Sequence, residues 1–106
     1  MPETINHEKI GAAWYRYRTS ENHSFGFVEE SIPELGIAVI PEFRDKGAGD
    51  KLLKALIDEA KKQNVKALSL SVAKKNPAVN LYKKNAFEIL KEKKDDYLMV
   101  LKLQKL

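Results

Sequence analysis

The chain has 106 residues, 43% of them hydrophobic and 32% charged, which suits one small domain (1–106) with a single modest core and is too little for two. No apolar run approaches the roughly 20 residues of a membrane helix. Cysteine is absent, which excludes disulfides, thiolate metal ligands and a cysteine nucleophile. A formal charge of +4 is a mild bias toward anionic partners. The lysine pairs Lys61-Lys62, Lys74-Lys75, Lys83-Lys84 and Lys93-Lys94 read as solvated helix and turn surface. No aromatics interleave with them as a stacking platform for nucleic acid requires, so a nucleic-acid binder is a distant third reading. Met1 to Lys9 is short and polar with no charged-then-apolar leader, so the expectation is a soluble, cytoplasmic protein with no membrane partner.

Along the chain, Ile10 to Arg18 alternates partially between aromatic and small apolar residues, and Ser24 to Glu29 resumes that character after the polar turn Thr19 to His23. The pair predicts a hairpin. Glu34 to Ile40 is a third β-rich run, stopped by Pro41, which cannot donate to a ladder. From Gly49 to about Asn64, Leu52, Leu53, Leu56, Ile57 and Ala60 recur at helical spacing, the most secure helix of the chain. Ala67 to Val72 is a short strand, and strand, helix, strand at this length predicts a right-handed crossover and a parallel pair. Asn76-Pro77 reads as an N-cap followed by proline at the first helical position, with Asn85 as a left-handed stop about two turns on. Phe87 to Lys91 and Tyr97 to Leu103 flank the charged turn Glu92 to Asp96 as a closing hairpin. The order is βββαβαββ, an α+β (mixed α/β) arrangement with helices packed on one mixed sheet.

Within this frame the run Ile37 to Leu53 is an apolar strand, a glycine-bearing turn and a helix start. Gly47 and Gly49 let backbone N–H groups approach a ligand closely, and the helix adds its unpaired N-terminal donors and positive dipole end. The ligand this architecture suits is a phosphate or pyrophosphate. No GxGxxG with an acid about 20 residues on, and no GK[ST], is present to support a dinucleotide fold or a P-loop.

The residues resemble the GNAT superfamily of N-acetyltransferases from Ile10 onward. The most specific match is R/Q-x-x-G-x-G/A, present as Arg44-Asp45-Lys46-Gly47-Ala48-Gly49 after the strand ending Ile37-Ala38-Val39-Ile40-Pro41. A second is Asn76-Pro77-Ala78-Val79-Asn80-Leu81-Tyr82-Lys83-Lys84-Asn85-Ala86-Phe87, similar to N-x-x-A-x-x-L-Y-x-x-x-G-F. The resemblance implies the family's central mixed sheet and acetyl-CoA as acetyl donor. It implies pantetheine paired with Ile37, Ala38 and Val39, and pyrophosphate on Arg44, Asp45, Lys46, Gly47, Ala48, Gly49 and Asp50, with Asn76 contributing from the second motif. Physically, two parallel strands that part at their C-terminal ends leave backbone groups free for an amide-rich arm to enter like a strand.

By the same resemblance Tyr82 is the general acid for the leaving thiolate. Glu34 is the candidate base or amine-binding carboxylate, since Ser71, on the next strand, cannot act as a base at neutral pH. Proximity alone supplies much of the rate in such a transfer. The activity implied is acetyl transfer to a primary amine of a small molecule or protein, and the alternative is a non-catalytic acyl-CoA-binding or regulatory module. Several departures bear on that choice. Asp45 and Asp50 put carboxylates beside the expected pyrophosphate and weaken binding unless they point away. The second motif is one residue shorter than usual between Asn76 and Leu81, and its Gly-Phe is Ala86-Phe87. A typical member begins with a strand and two helices that wall the acceptor site, whereas about nine polar residues precede Ile10 here. A second copy in a homodimer, a large acceptor on an open groove, or binding without efficient transfer would each answer this. Trp14, Tyr15 and Tyr17 are the aromatics available to a partner subunit. His7 and His23 fall in presumed loops without partners at metal spacing, so no metal is expected.

Overall fold

Leu52, Leu53, Leu56, Ile57 and Ala60 form one apolar stripe along a helix, and the fold is assembled on that stripe. The computed structural model describes residues 3–7, 11–17, 31–39 and 47–104. Helix α1 spans Ala48–Lys62, close to the expected span. It ends where Asn64, at φ 60, turns the chain and Val65 N–H donates to Ala60 O. Leu52, Leu53 and Leu56 are fully buried, and each contributes roughly 1.5–3 kcal/mol of burial.

Among the described residues the stripe lies on a sheet of six strands, β1 (Glu3–His7), β2 (Gly11–Arg16), β3 (Glu34–Val39), β4 (Ala67–Ala73), β5 (Glu88–Glu92) and β6 (Asp96–Lys102), in the order β1-β2-β3-β4-β6-β5. A short helix α2 (Ala78–Lys84) joins β4 to β5. Every neighbouring pair is antiparallel except β3 with β4, which are parallel around α1 as a crossover requires. Alternation along the strands sends Tyr15, Leu35, Leu68, Leu70, Val72, Met99 and Leu101 into the core under the helices. The βββαβαββ order and the mixed α+β class agree with the sequence reading.

The front of the chain differs from it. Glu3–His7 is a strand, not a loop, so His7 is a strand residue. Its composition carries little strand signal; backbone pairing to β2, from Glu3 opposite Tyr15 to His7 opposite Gly11, makes it one. Both edges of β2 are therefore occupied, by β1 and β3. Ser24 to Glu29, like His23, lies outside the described residues. Of the three front aromatics, Tyr15 belongs to the core and only Tyr17 is exposed, while the Trp14 ring lies across Gly36, where an added Cβ would meet it at 2.5 Å.

The end of α2 also differs. Asn85 is not the left-handed residue: its φ is −97, and Ala86 takes φ 72 instead. Ala86 is exposed, so its methyl buries little while its Cβ strains this backbone conformation by roughly 1–2 kcal/mol. Ala86→Gly is expected to stabilise the protein by about 0.5–1 kcal/mol, the relief offset in part by glycine's greater unfolded-state freedom. Thermal unfolding checks this as a rise of a few degrees in Tm; a fall would mean that the methyl packs more usefully than its exposure indicates.

Candidate functional site

The helix start forms because Gly47 can take φ 79 and ψ 3, a left-handed turn that aims the following peptides along the α1 axis. The first helical bond runs from Lys51 N–H to Gly47 O at 3.1 Å, so the N–H groups of Ala48, Gly49 and Asp50 precede it without helical partners. Among the described residues, chain neighbours aside, no heavy atom lies within 4 Å of where a Gly47 Cβ would sit, and Gly47 is exposed. These donors and the positive end of a 15-residue helix suit an anion. Arg44, Asp45 and Lys46, with Ile40 and Pro41, lie outside the described residues.

Asp50 is the residue whose charge argues against an anion, and its carboxylate is committed elsewhere. Asn85 Nδ2 donates to Oδ1 at 3.0 Å, Lys54 Nζ donates to Oδ2 at 2.9 Å, and Lys84 Nζ stands 3.8 Å from the same oxygen. The hydrogen bonds from Lys54 and then Asn85 hold its carboxyl below the usual range, so it is ionised at neutral pH.

Beside this turn the sheet opens. The β3–β4 ladder has one register pair, Glu34 with Ser69, joined below it by Ser69 N–H donating to Pro33 O at 3.1 Å. Beyond that pair no residue from Leu35 to Val39 has a register partner on β4, while β4 remains paired with β6 up to Ala73. The two strands thus part toward their C-terminal ends, as the sequence reading expected. Ile37 and Val39 pack on the core; Ala38 alternates to the other face and is exposed. At the wide end Val39, Gly49 and Leu81 converge: a Cβ on Gly49 would lie 3.3 Å from Leu81 Cδ2 and 3.9 Å from Val39 Cγ2.

Tyr82 and Glu34 lie on opposite faces of the sheet, and Glu34 stands at the last ladder pair before the strands part. Tyr82 comes from α2 on the helix side, 7% exposed, its ring edge-on to Phe87 with centroids 5.6 Å apart. Burial pushes its phenol above the ordinary value, so it stays protonated through the neutral range. Among the described residues its hydroxyl has no hydrogen-bond partner, which leaves it a donor for an incoming atom. Glu34, 8% exposed, shares its face with its ladder partners Arg16 and Ser69, and Ser69 is itself fully buried. The structure does not bring Glu34 and Tyr82 into contact. Asn76 caps α2, its Oδ1 accepting from Ala78 N–H at 2.9 Å, which is the N-cap role its sequence indicated.

A groove of about 890 Å³ lies elsewhere, between α1, the end of α2 and the end of β6, lined by Lys54, Ile57, Lys61, Asn85 and Leu103 among others. It holds neither Tyr82 nor Glu34. Among the described residues no cluster of three His, Asp or Glu side chains is arranged to hold a metal ion.

The family model described as "Acetyltransferase (GNAT) family" matches residues 5–87. Among the solved structures that resemble the fold, three illustrate the likeness. One is the yncA protein of Salmonella typhimurium, solved with its cofactor acetyl-CoA, at TM-score 0.75 and 26% identity, covering 92% of this chain and 60% of that one. A GNAT-family acetyltransferase from Streptococcus pneumoniae gives 0.72 and 25%, covering 90% and 60%. The Campylobacter jejuni N-acetyltransferase PseH in complex with acetyl coenzyme A gives 0.68 and 26%, covering 90% and 60%. The chain thus spans about 60% of the length of these relatives. No sequence among curated proteins matches it.

Proposed function

The chain belongs to the GNAT acetyltransferase family, and from that premise we propose that it binds acetyl-CoA between β3 and β4 and transfers the acetyl group to a primary amine of a small molecule or protein. The observation that carries this reading is the parting of β3 from β4 beside the open N-terminus of α1. An arm rich in amides can pair with Ile37, Ala38 and Val39 as an added strand, its pyrophosphate on the N–H groups of Gly47, Ala48, Gly49 and Asp50. Arg44, Asp45 and Lys46 are assigned to the pyrophosphate by their match to the family pattern alone. Asn76 enters this account through the same pattern, with its Oδ1 already engaged by the α2 cap.

In the reaction, the amine nitrogen attacks the thioester carbonyl carbon, the C–S bond breaks, and the sulfur leaves as a thiolate. Tyr82 gives its phenolic proton to that sulfur; its hydroxyl has no partner among the described residues, which supports the role, and burial keeps the phenol protonated until the thiolate forms. Glu34, across the sheet, takes the proton lost by the amine, directly or through water, or holds the amine in place. Holding amine and thioester in line supplies much of the acceleration.

Calorimetric titration with acetyl-CoA, followed by a thiol-release assay over a panel of amines, tests the reading. Binding with release on at least one amine is expected. Binding with no release on any would favour a non-catalytic acyl-CoA-binding module, and no binding would overturn both.

A further inference from the structure

We propose that Asp50 is a positioning residue: through Asn85 it fixes the first turn of α1 against the end of α2, and so sets the backbone donors that receive the pyrophosphate. The inference rests on the acetyl-CoA reading above. Asp50 and Asn85 stand 35 positions apart, and their 3.0 Å hydrogen bond is a side-chain tie between the two helices. Asn85 is itself fixed, since its Nδ2 also donates to Leu81 O at 2.9 Å. The helices are close at the same level, where Gly49 faces Leu81. Lys54 and Lys84 are largely exposed, so their ion pairs with Asp50 add little, and the half-buried Asn85 contact is the specific one.

The sign of the effect separates this role from simple electrostatics. A carboxylate next to an anion site repels the ligand, so by charge alone its removal tightens binding. A carboxylate that preorganises the donors does the opposite: its removal loosens binding, because the ligand must then order the turn itself.

The test uses the full chain titrated with acetyl-CoA, with steady-state kinetics alongside. Asp50→Ala is expected to weaken acetyl-CoA binding about tenfold, the low end of the worth of one hydrogen bond to a charged group, with the loss in KM and not in kcat. Asn85→Asp sets two carboxylates face to face and weakens binding at least as much. The exchange Asp50→Asn with Asn85→Asp restores the tie with donor and acceptor reversed but loses the bond from residue 85 to Leu81 O, so it is expected to recover part of the binding that Asn85→Asp alone loses. The exchange also keeps the assignment testable if Asp50→Ala fails to fold. Tighter or unchanged binding in Asp50→Ala, or an exchange no better than Asn85→Asp alone, would overturn the assignment. No binding by the unaltered chain would instead overturn the acetyl-CoA reading and this assignment with it.

Discussion

Replacing Tyr82 with phenylalanine is expected to lower kcat by about a hundredfold or more while acetyl-CoA affinity stays within about twofold. The ring provides the packing: it is buried, edge-on to Phe87, and phenylalanine keeps that contact, worth about 0.5–1.5 kcal/mol. The hydroxyl provides the proton, and positioned general acids contribute about 10²–10⁴-fold. Folding should tolerate the change, because the hydroxyl leaves no described partner behind. An unchanged turnover rate at saturating acetyl-CoA would remove this hydroxyl from the mechanism and leave Tyr82 as a packing residue.

The second large effect is expected at Gly47. A valine there meets the φ of 79 with a β-branched side chain, a strain of roughly 1–2 kcal/mol that should lower Tm by several degrees. Among the described residues nothing beyond the chain neighbours lies within 4 Å of the Cβ position, so the side chain has room there. The ligand does not, because that space is where a phosphate would approach the Ala48 to Asp50 donors. Gly47→Val is therefore expected to weaken acetyl-CoA binding at least tenfold, more than its loss of stability accounts for. Gly47→Asn, whose side chain tolerates the left-handed region, should cost less stability. Acetyl-CoA affinity unchanged by valine would move the pyrophosphate away from this turn.

Most of the fold was legible because its signals are local. The stripe from Leu52 to Ala60 identifies α1, and the apolar runs from Glu34 and Ala67 on either side of it leave little choice but a parallel crossover. The glycine turn was legible for the same reason, as three successive features of one short segment. What was not legible depends on partners far away in sequence. The segment Glu3–His7 is a strand only because β2 presents an unpaired backbone edge to it. Asn85 looked like the left-handed residue on propensity, yet its side chain is drawn to Asp50 and Leu81 O, and the positive φ passes to Ala86. Asp50 read as a charge opposing the ligand because nothing within its own helix announces Asn85. Glu34 read as the start of a strand; its burial follows from Ser69, which arrives through the crossover.

The central claim is that acetyl-CoA lies in the β3–β4 opening with its pyrophosphate at the start of α1. Titrating acetyl-CoA into the ¹⁵N-labelled chain and following each backbone amide by NMR tests it most directly. The account predicts that the largest shifts fall on Gly47, Ala48, Gly49 and Asp50 and on Ile37, Ala38 and Val39. Saturable shifts confined instead to the groove around Lys61 and Leu103, or no shifts at all, would contradict it.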